Sequence, residues 1–91
     1  MKNEVSFPIS YDWSKDEVVD VIHFYEAIDQ AYKKGVDRDL MIGLYKRFKE
    51  IVPSKSEEKQ SFKDYEEQTD QSPYHVVKKA KEASPETIIK M

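Results

Sequence analysis

The run Trp13-Ser14-Lys15-Asp16-Glu17-Val18-Val19-Asp20-Val21-Ile22-His23-Phe24-Tyr25-Glu26-Ala27-Ile28-Asp29-Gln30-Ala31-Tyr32-Lys33-Lys34-Gly35 decides the fold. Ser14 and Glu17 stand in capping-box register, each side chain placed to satisfy a backbone amide at a helix start. Trp13 before the cap and Val18 four positions after it suit a hydrophobic staple. Gly35 supplies the left-handed residue that closes a helix. Between these ends Val18, Val21, Tyr25, Ile28 and Tyr32 recur at spacings of three and four, the period of an amphipathic helix. Ile22, Phe24 and Ala31 widen the stripe to roughly half the circumference, against ~100° for an ordinary surface helix. A helix so broadly apolar needs neighbours on two sides, so residues 15–34 are read as the central element of a bundle.

Working outward, Asp37 is a helix cap, and the residue before Pro53 is steered away from helical geometry. This predicts a second helix over 38–52, with Leu40, Met41, Leu44, Tyr45, Phe48, Ile51 and Val52 on one face. Gly43 lies off that face, where it costs ~1 kcal/mol relative to alanine unless it admits a close helix crossing. Ser54 and Glu57 again have capping-box spacing and open a third helix over 55–68. Its stripe is thin, little more than Phe62 and Tyr65, and the pairs Lys55 with Glu58 and Lys63 with Glu67 add ~0.2–0.5 kcal/mol each. It belongs on the outside. Ser72-Pro73 reads as a cap followed by a first-turn proline and starts a fourth helix over 73–83, with Tyr74, Val76, Val77, Ala80 and Ala83 inward.

The ends differ in kind. Val5, Phe7, Ile9 and Tyr11 alternate as in a strand, yet no second convincing strand exists to pair with them. Residues 1–13 are therefore read as an extended arm across the helices, or, more sharply, as a segment for a partner's sheet edge. Ile88, Ile89 and Met91 make an apolar tail over 84–91 that either docks or stays loose. The fold class is all-α: a compact bundle of four helices in a single domain spanning 1–91.

Composition agrees. The 91 residues include two glycines and no cysteine, and 38% are apolar against 36% charged. Few glycines and many charges favour helices over short strands and tight turns. The absence of cysteine removes disulfides, thiol nucleophiles and cysteine-containing zinc sites together. Fifteen Lys and Arg against eighteen Asp and Glu give a net charge of −3, which argues against a dedicated nucleic-acid binder. No stretch approaches the ~18 apolar residues of a membrane span, and no signal-peptide pattern follows Met1-Lys2-Asn3-Glu4. A cytoplasmic location with no membrane partner is the expectation.

The stretch Tyr45-Lys46-Arg47-Phe48-Lys49-Glu50-Ile51-Val52-Pro53-Ser54-Lys55-Ser56-Glu57-Glu58-Lys59 resembles the signature of uncharacterised protein family 0223, a group of small bacterial proteins. Asp12-Trp13, Asp20-Val21-Ile22-His23-Phe24, Ala31-Tyr32-Lys33-Lys34-Gly35-Val36 and Tyr74-His75-Val76-Val77-Lys78 are similar to its other landmarks. The resemblance covers nearly the whole chain. Family members tend to have a glycine-serine turn before the last helix, where this chain has Thr69-Asp70-Gln71-Ser72-Pro73. The resemblance implies an all-helical fold in a bacterial cytosol and brings no catalytic residues to carry over.

The chemistry-bearing side chains fall into few patterns. Asp20, His23 and Glu26 lie three apart on one helix, but a carboxylate-bridged metal site in a bundle also needs facing ligands from other helices. No second such pairing exists, and His23 projects from the polar side. His75 sits in the first turn of the fourth helix and reads as a surface residue. Ser14, Ser54 and Ser72 are caps, and neither a nucleophile elbow nor a phosphate-binding loop is present. The expectation is no enzyme, no cofactor and no metal, with a metal-dependent enzyme as third choice. Nucleic acid is the second choice. Lys46, Lys49, Lys55, Lys59 and Lys63, with Arg47, form a basic segment over 45–63 interleaved with Tyr45, Phe48 and Phe62, as a stacking surface requires. Against it, Glu57, Glu58, Asp64, Glu66 and Glu67 on the same third helix repel phosphates.

Asp29 and Arg47 lie at the margins of their helices' apolar faces, and a carboxylate half removed from water needs a partner. One reading is that the two pair and fix how the first two helices pack; the other is that both side chains simply reach solvent. Val19 and Ile42 are spare apolar residues, the mark of a contact surface if they join a contiguous exposed patch. The favoured function is a non-enzymatic helical interaction module that engages an unidentified protein partner or a second copy of itself.

Overall fold

The computed structural model describes residues 9–91. Four helices run over Lys15–Lys33 (α1), Arg38–Ile51 (α2), Lys55–Thr69 (α3) and Pro73–Glu82 (α4), with two short strands at Val36–Asp37 (β1) and Ile88–Ile89 (β2). Every helix starts on its expected cap. Ser14 Oγ accepts from the Glu17 amide at 3.2 Å while Glu17 Oε1 accepts from the Ser14 amide at 2.8 Å. Asp37 accepts from the Leu40 amide, Ser54 from that of Glu57, and Ser72 from that of His75. These bonds satisfy helix-start donors that have no partner inside the helix. At the other end of α1 the Gly35 amide donates to the Gln30 carbonyl at 2.7 Å, with φ at +98°. Asp70 closes α3 in the same left-handed region at φ +59°, so an aspartate does here what a glycine does elsewhere.

The core is aromatic. Phe24 of α1 stacks on Phe48 of α2 with centroids 4.6 Å apart and lies 5.9 Å from Phe62 of α3. Tyr25 stacks on Tyr65 at 4.6 Å, and its hydroxyl bonds to Ser61. Such ring pairs add ~0.5–1.5 kcal/mol each beyond their buried area. α1 packs chiefly along α2, and α2 and α3 each pack on α4; α3 is tied to α1 and α2 through long rings. That arrangement suits a helix whose buried residues are only Phe62 and Tyr65. Tyr25, Phe24, Ile28 and Val21 are fully buried, consistent with α1 as the central helix.

Open alternatives close at both ends of the chain, and the placements of Leu40 and Tyr74 are corrected. The tail docks: β2 pairs antiparallel with β1, Val36 opposite Ile89 and Asp37 opposite Ile88, and Ile89 is 1% exposed. The Met91 amide donates to the Ala31 carbonyl and the Arg38 amide to that of Thr87, both at 2.8 Å. At the start, Val5 and Phe7 of the expected arm lie outside the described residues. Its last part, residues 9–13, enters α1 through a turn in which the Trp13 amide donates to the Ser10 carbonyl. Leu40 is exposed because it stands at the margin of an α2 face buried through Met41, Phe48 and Ile51. Tyr74 also faces outward, since it precedes Val76 by two positions and so lies ~200° around the helix from it. Gly43 admits no helix crossing, for a Cβ there would meet nothing within 4 Å.

The ion pair between α1 and α2 exists, but Asp29 is not part of it. Arg47 Nε donates to Asp20 at 2.7 Å and Nη1 to Glu50 at 3.1 Å. Asp29 accepts from Gln71 Nε2 at 2.9 Å and pairs with Lys33 at 3.0 Å. Asp20 and Asp29 are nine residues apart, about two and a half turns, and so border opposite edges of the apolar face. α2 lies along the edge bordered by Asp20. Burial pushes the Asp29 carboxyl upward, but the Gln71 amide and the Lys33 ammonium outweigh it and hold the group below its usual range.

Candidate functional site

The caps fix where the first turns of α3 and α4 point, and with them two matching rows of side chains. From Ser54 onward, Lys55, Glu58, Lys59 and Phe62 fall at i, i+3, i+4 and i+7. From Ser72-Pro73 onward, Tyr74, Val77, Lys78 and Lys81 do the same. On a helix such positions share one face. The two rows border a groove of about 360 Å³, with Tyr45 of α2 also lining it. Phe62 and Val77 are buried and supply its apolar floor, whereas Tyr74 is 59% exposed at the edge.

The charges in the groove do not cancel. Glu58, its one acid, already holds two partners, Lys49 Nζ at 2.6 Å and the Tyr45 hydroxyl at 2.8 Å. Burial, then the hydrogen bond to Glu58 and its charge, push the Tyr45 phenol up to about 12. It therefore stays a protonated donor at neutral pH. Lys81 Nζ lies 4.9 Å from the centroid of the Tyr45 ring, a cation–π placement worth ~0.5–1 kcal/mol when exposed. Among the described residues, none of Lys55, Lys59, Lys78 and Lys81 is within ion-pair distance of a carboxylate. The result is an apolar cleft edged by four ammonium groups on a chain whose net charge is −3.

The residues singled out in the sequence scatter differently. Of the five candidate lysines, only Lys55 and Lys59 line the groove. Lys49 is half-buried against Glu58, and Lys46 and Lys63 are exposed outside the groove. Phe48 is fully buried and unavailable for stacking. Lys78 and Lys81 lie outside the continuous basic segment, because the groove draws its second wall from α4. The signal was present as the Tyr74, Val77, Lys78, Lys81 spacing. Ile42 packs against the core, so it is no spare contact residue, and Val19 stands exposed without it.

His23 is exposed in a shallow hollow that Glu26, Asp29, Leu40 and Leu44 also line. Asp20 is engaged by Arg47 and Asp29 by Gln71 and Lys33. Among the described residues no group of three His, Cys, Asp or Glu side chains is placed to hold a metal ion. Nor is any described helix long and apolar enough to cross a membrane.

A family profile described as "Uncharacterised protein family (UPF0223)" matches residues 4–89. A UPF0223 protein of Lysinibacillus sphaericus is 52% identical over 88 residues, 97% of this chain and 93% of the relative. UPF0223 proteins of Oceanobacillus iheyensis and Bacillus mycoides are 49% and 47% identical, over 90% and 97% of this chain and 93% and 99% of their own lengths.

Proposed function

The chain belongs to the uncharacterised protein family UPF0223, and for this member we propose a non-enzymatic, cytoplasmic role as a binding module whose working surface is the groove between α3 and α4. The observation that carries the reading is the groove's lining: an aromatic and aliphatic floor between two walls of ammonium groups that meet no carboxylate among the described residues. Concave, mostly apolar sites with a few convergent polar groups are where proteins take ligands. A volume near 360 Å³ is at the small end of that range, suited to one or two anchoring side chains of a protein partner. A crosslinking experiment tests it. A photoreactive benzoylphenylalanine in place of Tyr74 should give a discrete protein adduct in cells of a related bacillus. The same group in place of His23, outside the groove, should not. Adducts equal at both positions, or none at either, would remove the groove from the reading.

Nucleic acid is the second reading, favoured by one feature: Tyr74 stands exposed in the same row as Lys78 and Lys81, a ring beside two cations.

A further inference from the structure

We infer that the occupant of the groove is a short acidic segment of a partner protein, carrying one apolar anchor residue flanked on both sides by carboxylates. The inference rests on the binding-module reading and specifies its ligand. Lys55 and Lys59 form one rail on α3, Lys78 and Lys81 the other on α4, and the apolar floor of Phe62 and Val77 lies between them. An anchor side chain set on that floor places the residues before and after it alongside the rails. The charge on those rails is open to a ligand, because the groove's own acid is already satisfied by Lys49 and Tyr45. A chain of net charge −3 that gathers at one cleft four lysines with no ion pair among the described residues is complementary to an acidic partner.

The same features weigh against a nucleic-acid strand. A phosphate backbone needs a positive track that continues beyond one cleft. On α3 such a track ends at Glu66, four positions after Phe62 on the same face and exposed. A strand running past the rails on that face would meet its carboxylate.

The experiment is an amide chemical-shift titration of the full chain with four probes. The first is a nonapeptide of one phenylalanine between two runs of four glutamates. The second replaces its phenylalanine by serine, the third replaces its glutamates by lysines, and the fourth is a nine-nucleotide oligothymidylate. The first probe is expected to shift the amides of Phe62, Val77 and Lys78, with an affinity that falls as salt rises from about 50 to about 500 mM because the rim charges are screened. The serine and lysine peptides should bind at least fivefold more weakly. The double variant Lys59→Gln, Lys78→Gln removes one charge from each rail and keeps good helix formers. It should weaken the first probe roughly five- to tenfold, as two surface ion pairs allow, with the remaining amides unmoved as the check on folding.

No groove shifts with the first probe, or equal binding by the serine peptide, overturns the inference. Tighter binding by oligothymidylate overturns it in favour of nucleic acid. If the peptide fails while the Tyr74 adduct still forms, the acidic ligand is wrong and the module reading stands. If the adduct also fails, the module reading falls with it.

Discussion

Gly43 and Gly35 are the chain's two glycines, and they do opposite things. Gly43 sits mid-helix on an exposed face with open space around it. Gly43→Ala should therefore raise stability by ~0.5–1 kcal/mol, the ordinary helix-interior cost of glycine, seen as a higher thermal midpoint with unchanged helical signal. Gly35 combines a φ of +98° with a site where a Cβ would lie 2.7 Å from Ile88 Cγ2. Gly35→Ala should lower stability by ~1–3 kcal/mol through backbone strain alone, and it should loosen β2, measurable as faster amide exchange at Met91 and Arg38. The sequence marks Gly35 as a helix stop, but the reason it admits no side chain is Ile88, which follows it by more than half the chain. Arg47 was similarly half legible. Its marginal position announced an ionic partner, but only packing chose Asp20 over Asp29.

At the scale of elements, all four helices fall within a residue of the boundaries read from caps and prolines, because Ser14, Asp37, Ser54 and Ser72 act locally on amides three residues away. Nothing local announces β2. A two-residue strand has no period to detect, and its only pattern is Ile88 outward and Ile89 inward. The groove is illegible for a related reason: each wall is written into its own helix, but which face of α3 meets α4 is decided by tertiary packing, with Phe62 and Val77 both buried in the common core. The strand pair also makes an energetic claim. Ile89→Ala should cost ~2–5 kcal/mol in urea unfolding, as for other fully buried aliphatic truncations. Ile88→Ala, at a position 59% exposed, should cost under ~1 kcal/mol. Similar losses at the two positions would mean the tail contributes no packing of its own.

Across the whole molecule the tyrosines set an alkaline limit. Burial, outweighing the Ser61 hydrogen bond, drives the Tyr25 phenol far above its usual value. Burial together with the Asp29 charge pushes Tyr65 up to about 12, and Tyr45 reaches about 12 beside Glu58. In the unfolded chain these phenols ionise near ~10. Above that pH the unfolded state sheds protons that the folded state keeps, so stability is whole below pH ~10 and falls as pH climbs toward 12. Phenolate absorbance should rise in step with loss of helical ellipticity over that interval; phenolate formation with the helices intact would contradict it. The pairing of Val36 with Ile89 has a temporal consequence as well. A chain made from its amino end can set Phe24 against Phe48 long before residue 89 leaves the ribosome, whereas closing a loop that spans more than half the chain waits for it. In pulsed exchange during refolding, the amides of Arg38 and Met91 should gain protection after those of α1, so the strand pair acts as the clasp fastened last.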